Sequence, residues 1–234
     1  MSNLLSDRIN SLPVSQTLAM AAKARELKLA GKDIISLSLG EPDFNTPDFI
    51  KDAAIQAINE NYSSYTPVDG YVELKEAICT KFKRDNNLEY QPNQIVVSTG
   101  AKQSIANIAQ VLLNPDDEVL LPAPYWVSYS AIATLCEAKF IEIPSSIDND
   151  FKITPAQLEA AITPKTKMIF FNSPNNPCGS MYSEEEYRAL AAVLENHPQI
   201  FVLSDEIYEH INYGTKPFSF AAIESMYDRT ITVN

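Results

Sequence analysis

The sequence predicts an α/β fold in three layers: a mostly parallel sheet flanked by helices on both faces. Two observations carry that expectation. From Ile95 onward, short apolar runs alternate with segments of helical period, and strands that alternate with helices build parallel sheets. The runs Val119-Leu120-Leu121, Met168-Ile169-Phe170-Phe171 and Phe201-Val202-Leu203 are continuously apolar, as strands buried on both faces are.

Taken in order, a first helix is expected from Ser15 to Ala30, with Gly31 as its stop and Leu18, Ala21, Ala22, Leu27 and Leu29 on its apolar face. A strand-like run, Asp33 to Leu39, leads into Gly40-Glu41-Pro42-Asp43-Phe44. Thr46 and Pro47 read as the N-cap and first-turn proline of a helix through Ala57. Residues 62–70 form a loop, and a helix follows from Val72 to Arg84. Strands are then expected at Ile95–Val97, Glu118–Leu121, Phe140–Ile143, Lys167–Phe171, Phe201–Leu203 and Ile231–Val233. Between them come helices at Gln103–Leu113, Val127–Leu135, Pro155–Ile162 and from Ser183 to Leu194. Thr154 caps the third of these, and Ser183 with Glu186 makes a capping box for the fourth. Proline and glycine near residues 40–47 mark a hinge, so the domains are expected at 1–45, an arm with part of a small domain, and 46–234, a large domain.

A formal net charge of −12 argues against nucleic acid and against anionic membranes as partners, because both need a basic face. No run is long and apolar enough to span a bilayer, and the N-terminus lacks a signal-peptide layout. Cys79, Cys136 and Cys178 are widely spaced and odd in number, which fits a reducing, cytoplasmic location. His197 and His210 sit in no metal-ligand spacing, so no metal site is expected.

The chemistry concentrates at the ends of strands, where open α/β sheets bind ligands. Asn172-Ser173-Pro174-Asn175-Asn176-Pro177-Cys178-Gly179 follows one apolar run, and Ser204-Asp205-Glu206-Ile207-Tyr208 ends another. Ser98-Thr99-Gly100-Ala101-Lys102-Gln103 joins a strand to a helix N-terminus, whose free amides and dipole suit an anion. Lys102 adds a positive charge where the dipole disfavours one, which hints at an anionic partner. Trp126, the only tryptophan, follows a strand end closely enough to face the same crevice. Read alone, each has an ordinary explanation: Asp205 a strand-end carboxylate, Asn176 and Tyr208 turn formers or packers, Trp126 a core aromatic.

Together these segments, in this order and spacing, resemble the fold-type I, pyridoxal-phosphate-dependent aminotransferases of class I and II, most closely the aspartate-aminotransferase-like branch. Leu39-Gly40-Glu41-Pro42-Asp43-Phe44 and Tyr62-Ser63-Ser64-Tyr65-Thr66-Pro67 match further motifs of that family. The resemblance runs from about Leu12 to Asn234 and implies a large domain that is incomplete at its C-terminus. It implies pyridoxal 5'-phosphate as cofactor, an amino acid and a 2-oxo acid as substrates, and a homodimer. Asp205 would face the pyridine nitrogen and keep it protonated, since a nearby carboxylate favours the cation. Asn176 and Tyr208 would bond the ring hydroxyl, Trp126 would stack on the ring, and Gly100, Ala101 and Lys102 would hold the phosphate. Gly40, Asn176, Trp126 and Lys102 would meet the substrate, and Tyr65 would reach the phosphate bound by the neighbouring subunit.

The resemblance also places the family's cofactor-binding lysine a short turn beyond Asn234. No lysine among the 234 residues has that setting, so this chain alone is expected to have little or no transaminase activity. Other readings stay open: another pyridoxal-phosphate reaction such as β-elimination, or a non-catalytic fragment or pseudoenzyme. A nicotinamide-dependent dehydrogenase fits poorly, because no Gly-x-Gly-x-x-Gly follows any strand.

Overall fold

The computed structural model describes residues 4–14, 16–37, 40, 42 and 44–234. They divide into two compact units: one of residues 1–12 and 69–234, the other Pro13–Val68. The helices in chain order are α1 (Asp7–Asn10), α2 (Gln16–Leu29), α3 (Asp48–Asn59), α4 (Val72–Lys81), α5 (Ala101–Leu112), α6 (Ser128–Leu135), α7 (Pro155–Ala161) and α8 (Glu184–Leu194). The strands are β1 (Glu118–Ala123), β2 (Lys139–Pro144), β3 (Thr166–Asn172), β4 (Phe201–Asp205) and β5 (Thr230–Val233).

In the larger unit the strands form one sheet of order β2-β1-β3-β4-β5, parallel throughout. Alternation of side chains then sorts the apolar runs into two cores. Leu120, Ile169, Phe171 and Val202 pack with Leu158 of α7 and Tyr187, Leu190 and Leu194 of α8. Val119, Leu121, Met168, Phe170 and Leu203 pack with Ile105 and Ala109 of α5 and Tyr129, Ile132 and Ala133 of α6. The expected three layers are therefore present, and the central strands are apolar on both faces because both are covered.

Local signals place the helices. Thr154 and Gln157 form a reciprocal capping box ahead of α7, and Ser183 and Glu186 form another ahead of α8. The C-terminal end of α8 is closed by Arg229. Its guanidinium donates to the carbonyls of Leu194 at 2.7 Å, His197 at 2.8 Å and Ile200 at 3.4 Å. Orphan carbonyls at a helix end favour such a cation. Arg229→Met is expected to cost about 1.5–3 kcal/mol, the range for hydrogen bonds to a charged group, read as a lower urea midpoint at unchanged m-value.

Several expectations need correction. Ile95–Val97 is not a strand: among the described residues it makes no ladder, and its backbone donates from Ile95 to the Pro92 carbonyl at 3.3 Å and from Val97 to the Asp69 carbonyl at 3.1 Å. An extended run becomes a strand only when a neighbour pairs with it. Residues 33–37 likewise belong to no strand of the sheet, and Ser38 and Leu39 lie outside the described residues. The α-helix at Val72 ends at Lys81 and widens into a π-turn, Phe82–Asn86, closed by Asn87 in the left-handed region at φ +57°. Pro47, not Thr46, stands at the N-cap of α3.

In the smaller unit α2 ends ahead of Gly31, whose φ of +77° suits a helix stop. Its expected apolar face is not buried, with Leu18 and Leu29 both largely exposed. Helix α3 buries none of its residues, and Phe49, Ile55 and Ile58 are exposed. By contacts α3 groups with Pro13–Val68, whereas the 46–234 reading places it in the large domain.

Candidate active site

The strand order sets where a site can form. From β1 the chain steps to β2 on one side and β3 on the other, so a crevice opens outside the C-terminal ends of β1 and β3. Trp126 follows β1, Asn176 follows β3, and Asp205 is the last residue of β4. Asn172 and Asp205 are register partners across β3 and β4.

Asp205 is buried at 3% exposure. Its Oδ2 accepts the Tyr129 hydroxyl at 2.6 Å and its Oδ1 the Ile207 amide at 3.3 Å. Burial pushes its carboxyl above the ordinary carboxylate value, while those two donors pull it back. Burial and the facing Asp205 charge push the Tyr129 phenol far above its ordinary range, so it stays a proton donor. Tyr129 also meets Trp126 edge to face, with ring centroids 5.6 Å apart. Lys102 places its Nζ 4.8 Å from the Trp126 ring centroid. A cation over an aromatic face is attracted by the ring quadrupole.

The other branch starts at Asn172. Its Nδ2 donates to the Asp205 carbonyl at 3.0 Å, and its Oδ1 accepts the Asn176 amide at 2.7 Å. The Asn176 side chain then donates to the Tyr208 hydroxyl at 3.3 Å. Asn175 bonds the Pro124 carbonyl at 3.3 Å and so ties this loop to the one carrying Trp126. Gly100 stands at the N-cap of α5 with φ +86°, a conformation that favours glycine. The amides of Ala101 and Lys102 in that first turn have no acceptor among the described residues, as expected for the start of a helix.

Five of the predicted residues thus lie in one connected network: Lys102, Trp126, Asp205, Asn176 and Tyr208, with Gly100 and Ala101 adjoining Lys102 along the chain. Gly40 and Tyr65 belong to the other compact unit, where both are exposed. A cleft of about 1110 Å³ lies elsewhere, lined by Lys152, Glu186, Arg188 and Lys216 and by none of those seven. Among the described residues no helix is long and apolar enough to cross a membrane.

Sequence reasoning missed Tyr129 and the bracing role of Asn172. Tyr129 sits three positions after Trp126 in the buried stripe of α6, where an aromatic reads as core. The only signal for it was a hydroxyl that burial obliges to find a partner. Tyr129→Phe is expected to destabilise the full-length protein by about 1.5–3 kcal/mol near neutral pH, because it removes a bond to an ionised acceptor. The cost should shrink at acid pH, where the carboxyl is protonated. Urea unfolding at both pH values checks this, and an equal cost at both would count against an ionised Asp205.

The model of the family described as aminotransferase class I and II matches residues 32–234. An aspartate/prephenate aminotransferase of Cereibacter sphaeroides is 50% identical over 232 residues, 98% of this chain and 58% of that protein. An aspartate aminotransferase of Bacillus subtilis is 49% identical, over 98% of this chain and 59% of its own length. Among solved structures, the aspartate aminotransferase of Rhizobium meliloti superposes with a TM-score of 0.95 at 44% identity, covering 98% of this chain and 58% of that one. The chain therefore spans 58% to 59% of the length of these relatives. By its sheet, its strand-end residues and these matches, the chain belongs to the class I and II aminotransferases, pyridoxal-phosphate enzymes of fold type I.

Proposed function

We propose that the protein carrying this chain transfers an amino group from an amino acid, aspartate foremost, to a 2-oxo acid, 2-oxoglutarate foremost, with prephenate as a further acceptor. Relatives named for aspartate and prephenate support the choice of substrates. The observation that carries the reading is Asp205: a carboxyl at 3% exposure that, among the described residues, meets a phenol and an amide but no cation. A buried carboxylate calls for a positive partner, and a protonated pyridine nitrogen fits that need.

Pyridoxal phosphate, when bound, supplies the electron sink for the bond broken at the substrate's α-carbon. The chain's own residues hold and tune it. Asp205 keeps the ring nitrogen protonated, with Tyr129 and the Ile207 amide fixing the carboxylate. Tyr208 and Asn176, already in contact, offer hydrogen bonds to the ring hydroxyl. Trp126 provides a flat face, and the amides at the start of α5 receive the phosphate. Lys102 and Gly40 serve substrate carboxylates, and Tyr65 completes the neighbouring subunit's phosphate site in a homodimer. The family's proton shuttle is a lysine, a role given to none of these residues. A cytoplasmic location goes with this metabolic role.

The test is product analysis on the full-length protein with pyridoxal phosphate, aspartate and 2-oxoglutarate. Oxaloacetate and glutamate in equal amounts support the proposal. Ammonia release without glutamate would favour elimination instead, and no product together with no bound cofactor would favour a non-catalytic chain.

A further inference from the structure

Glu206 follows Asp205 directly, and its carboxyl turns to the other side of the sheet. There it is buried at 4% exposure against the core that holds Tyr187 and Phe220. One oxygen, Oε1, accepts the Ser204 hydroxyl at 2.8 Å and the Ser219 hydroxyl at 2.8 Å. The Phe220 amide also faces this carboxyl. Glu206 and Ser219 are 13 positions apart, and the chain between them carries Tyr208. The backbone of Glu206 is fixed as well, its amide donating to the Val233 carbonyl at 2.8 Å. Beyond Tyr208, Glu209 pairs with Lys81 and accepts Asn86 Nδ2 at 2.8 Å, which tethers the same segment from another side. Among the described residues no cation offsets Glu206 itself; the charged neighbour acting on it is Glu209, of like sign. A carboxylate so placed costs stability that an apolar residue of similar size would not. What it gains is a link between the two ends of one loop.

We propose that Glu206 is a positioning residue: it clasps the start of the 206–219 segment to its end at Ser219 and so holds Tyr208 in contact with Asn176. The role given to Tyr208 rests on the function proposed above, but the clasp can be tested without the cofactor. Three variants of the full-length protein are needed: Glu206→Leu, Ser219→Ala and Glu206→Gln. Amide hydrogen exchange is measured on the apo-protein, and cofactor affinity and the pH midpoint of its visible absorbance on the loaded one.

Glu206→Leu and Ser219→Ala should speed exchange within 207–218 by about tenfold or more, as expected when a local restraint is lost. Exchange in β1 and β3 should stay unchanged, which also shows that the variants fold. Both should weaken cofactor binding by about tenfold, the equivalent of one hydrogen bond, and shift the absorbance midpoint. Glu206→Gln keeps an acceptor oxygen for both hydroxyls and should stay within about twofold of wild type in exchange and affinity. Unchanged exchange in Ser219→Ala and Glu206→Leu overturns the clasp. Faster exchange with an unmoved absorbance midpoint overturns its link to Tyr208. If wild type itself binds no pyridoxal phosphate, the proposed function fails while the exchange data still decide the clasp.

Discussion

Asp205→Asn in the full-length protein is expected to lower amino-group transfer by between about a hundredfold and a few thousandfold. That range corresponds to about 3–5 kcal/mol, the cost of removing one partner from a buried charge pair. The substitution is conservative in shape, and an Asn side-chain oxygen still accepts the Tyr129 hydroxyl. What it cannot do is stabilise a proton on a ring nitrogen. The fold should therefore be kept and stability lowered by no more than about 1–3 kcal/mol, because the Asn NH2 cannot also accept the Ile207 amide, while the rate falls in kcat as well as in kcat/KM. Steady-state rates with aspartate and 2-oxoglutarate check the first point, and urea unfolding checks the second. A variant within threefold of wild type would remove Asp205 from its assigned role and with it the main support for the proposed chemistry.

Why Asp205 could be found from sequence while its partner Tyr129 could not is a matter of range. Asp205 ends an apolar run and is followed by Glu-Ile-Tyr, so its place at a strand terminus is written locally. The same holds for the capping boxes at Thr154 and Ser183, where cap and donor lie three residues apart. Continuous apolar runs gave β1, β3 and β4 because burial on both faces leaves no alternation to misread. Tyr129 meets Asp205 across 76 positions of sequence, and nothing near it says so. Ile95–Val97 fails for the converse reason. Its residues are good strand formers, but a strand exists only through a partner, and partnering is not a local property. The apolar face expected on α2 shows a third limit: periodicity says which residues share a side, and not whether anything covers it. Glu206 was in plain view, yet adjacency to Asp205 hides that the two carboxyls serve opposite faces of the sheet.

Glu206→Gln should make the protein more stable at pH 8 than wild type, by up to about 2–3 kcal/mol, with the gain fading as pH falls. Burial pushes the Glu206 carboxyl up from its ordinary 4.5 to about 7, and the nearby Glu209 adds to the push, against the Ser204, Ser219 and Phe220 donors. The sign follows from proton linkage. Between pH 4.5 and about 7 the folded protein keeps a proton on this group that the unfolded chain has released. The stability associated with Glu206 is therefore fully present below 4.5 and is lost as pH rises through about 7. Above that, the folded state must bury an ionised carboxylate with no cation beside it among the described residues. Glutamine has the shape and the acceptor oxygen but no charge to bury, so it escapes that cost at high pH and gains little at pH 5. Urea unfolding of both proteins at pH 5, 6.5 and 8 gives the comparison. A wild type that is more stable than Glu206→Gln at pH 8 would mean that the hydroxyl and amide donors outweigh desolvation, and that Glu206 stabilises the fold as well as the loop it clasps.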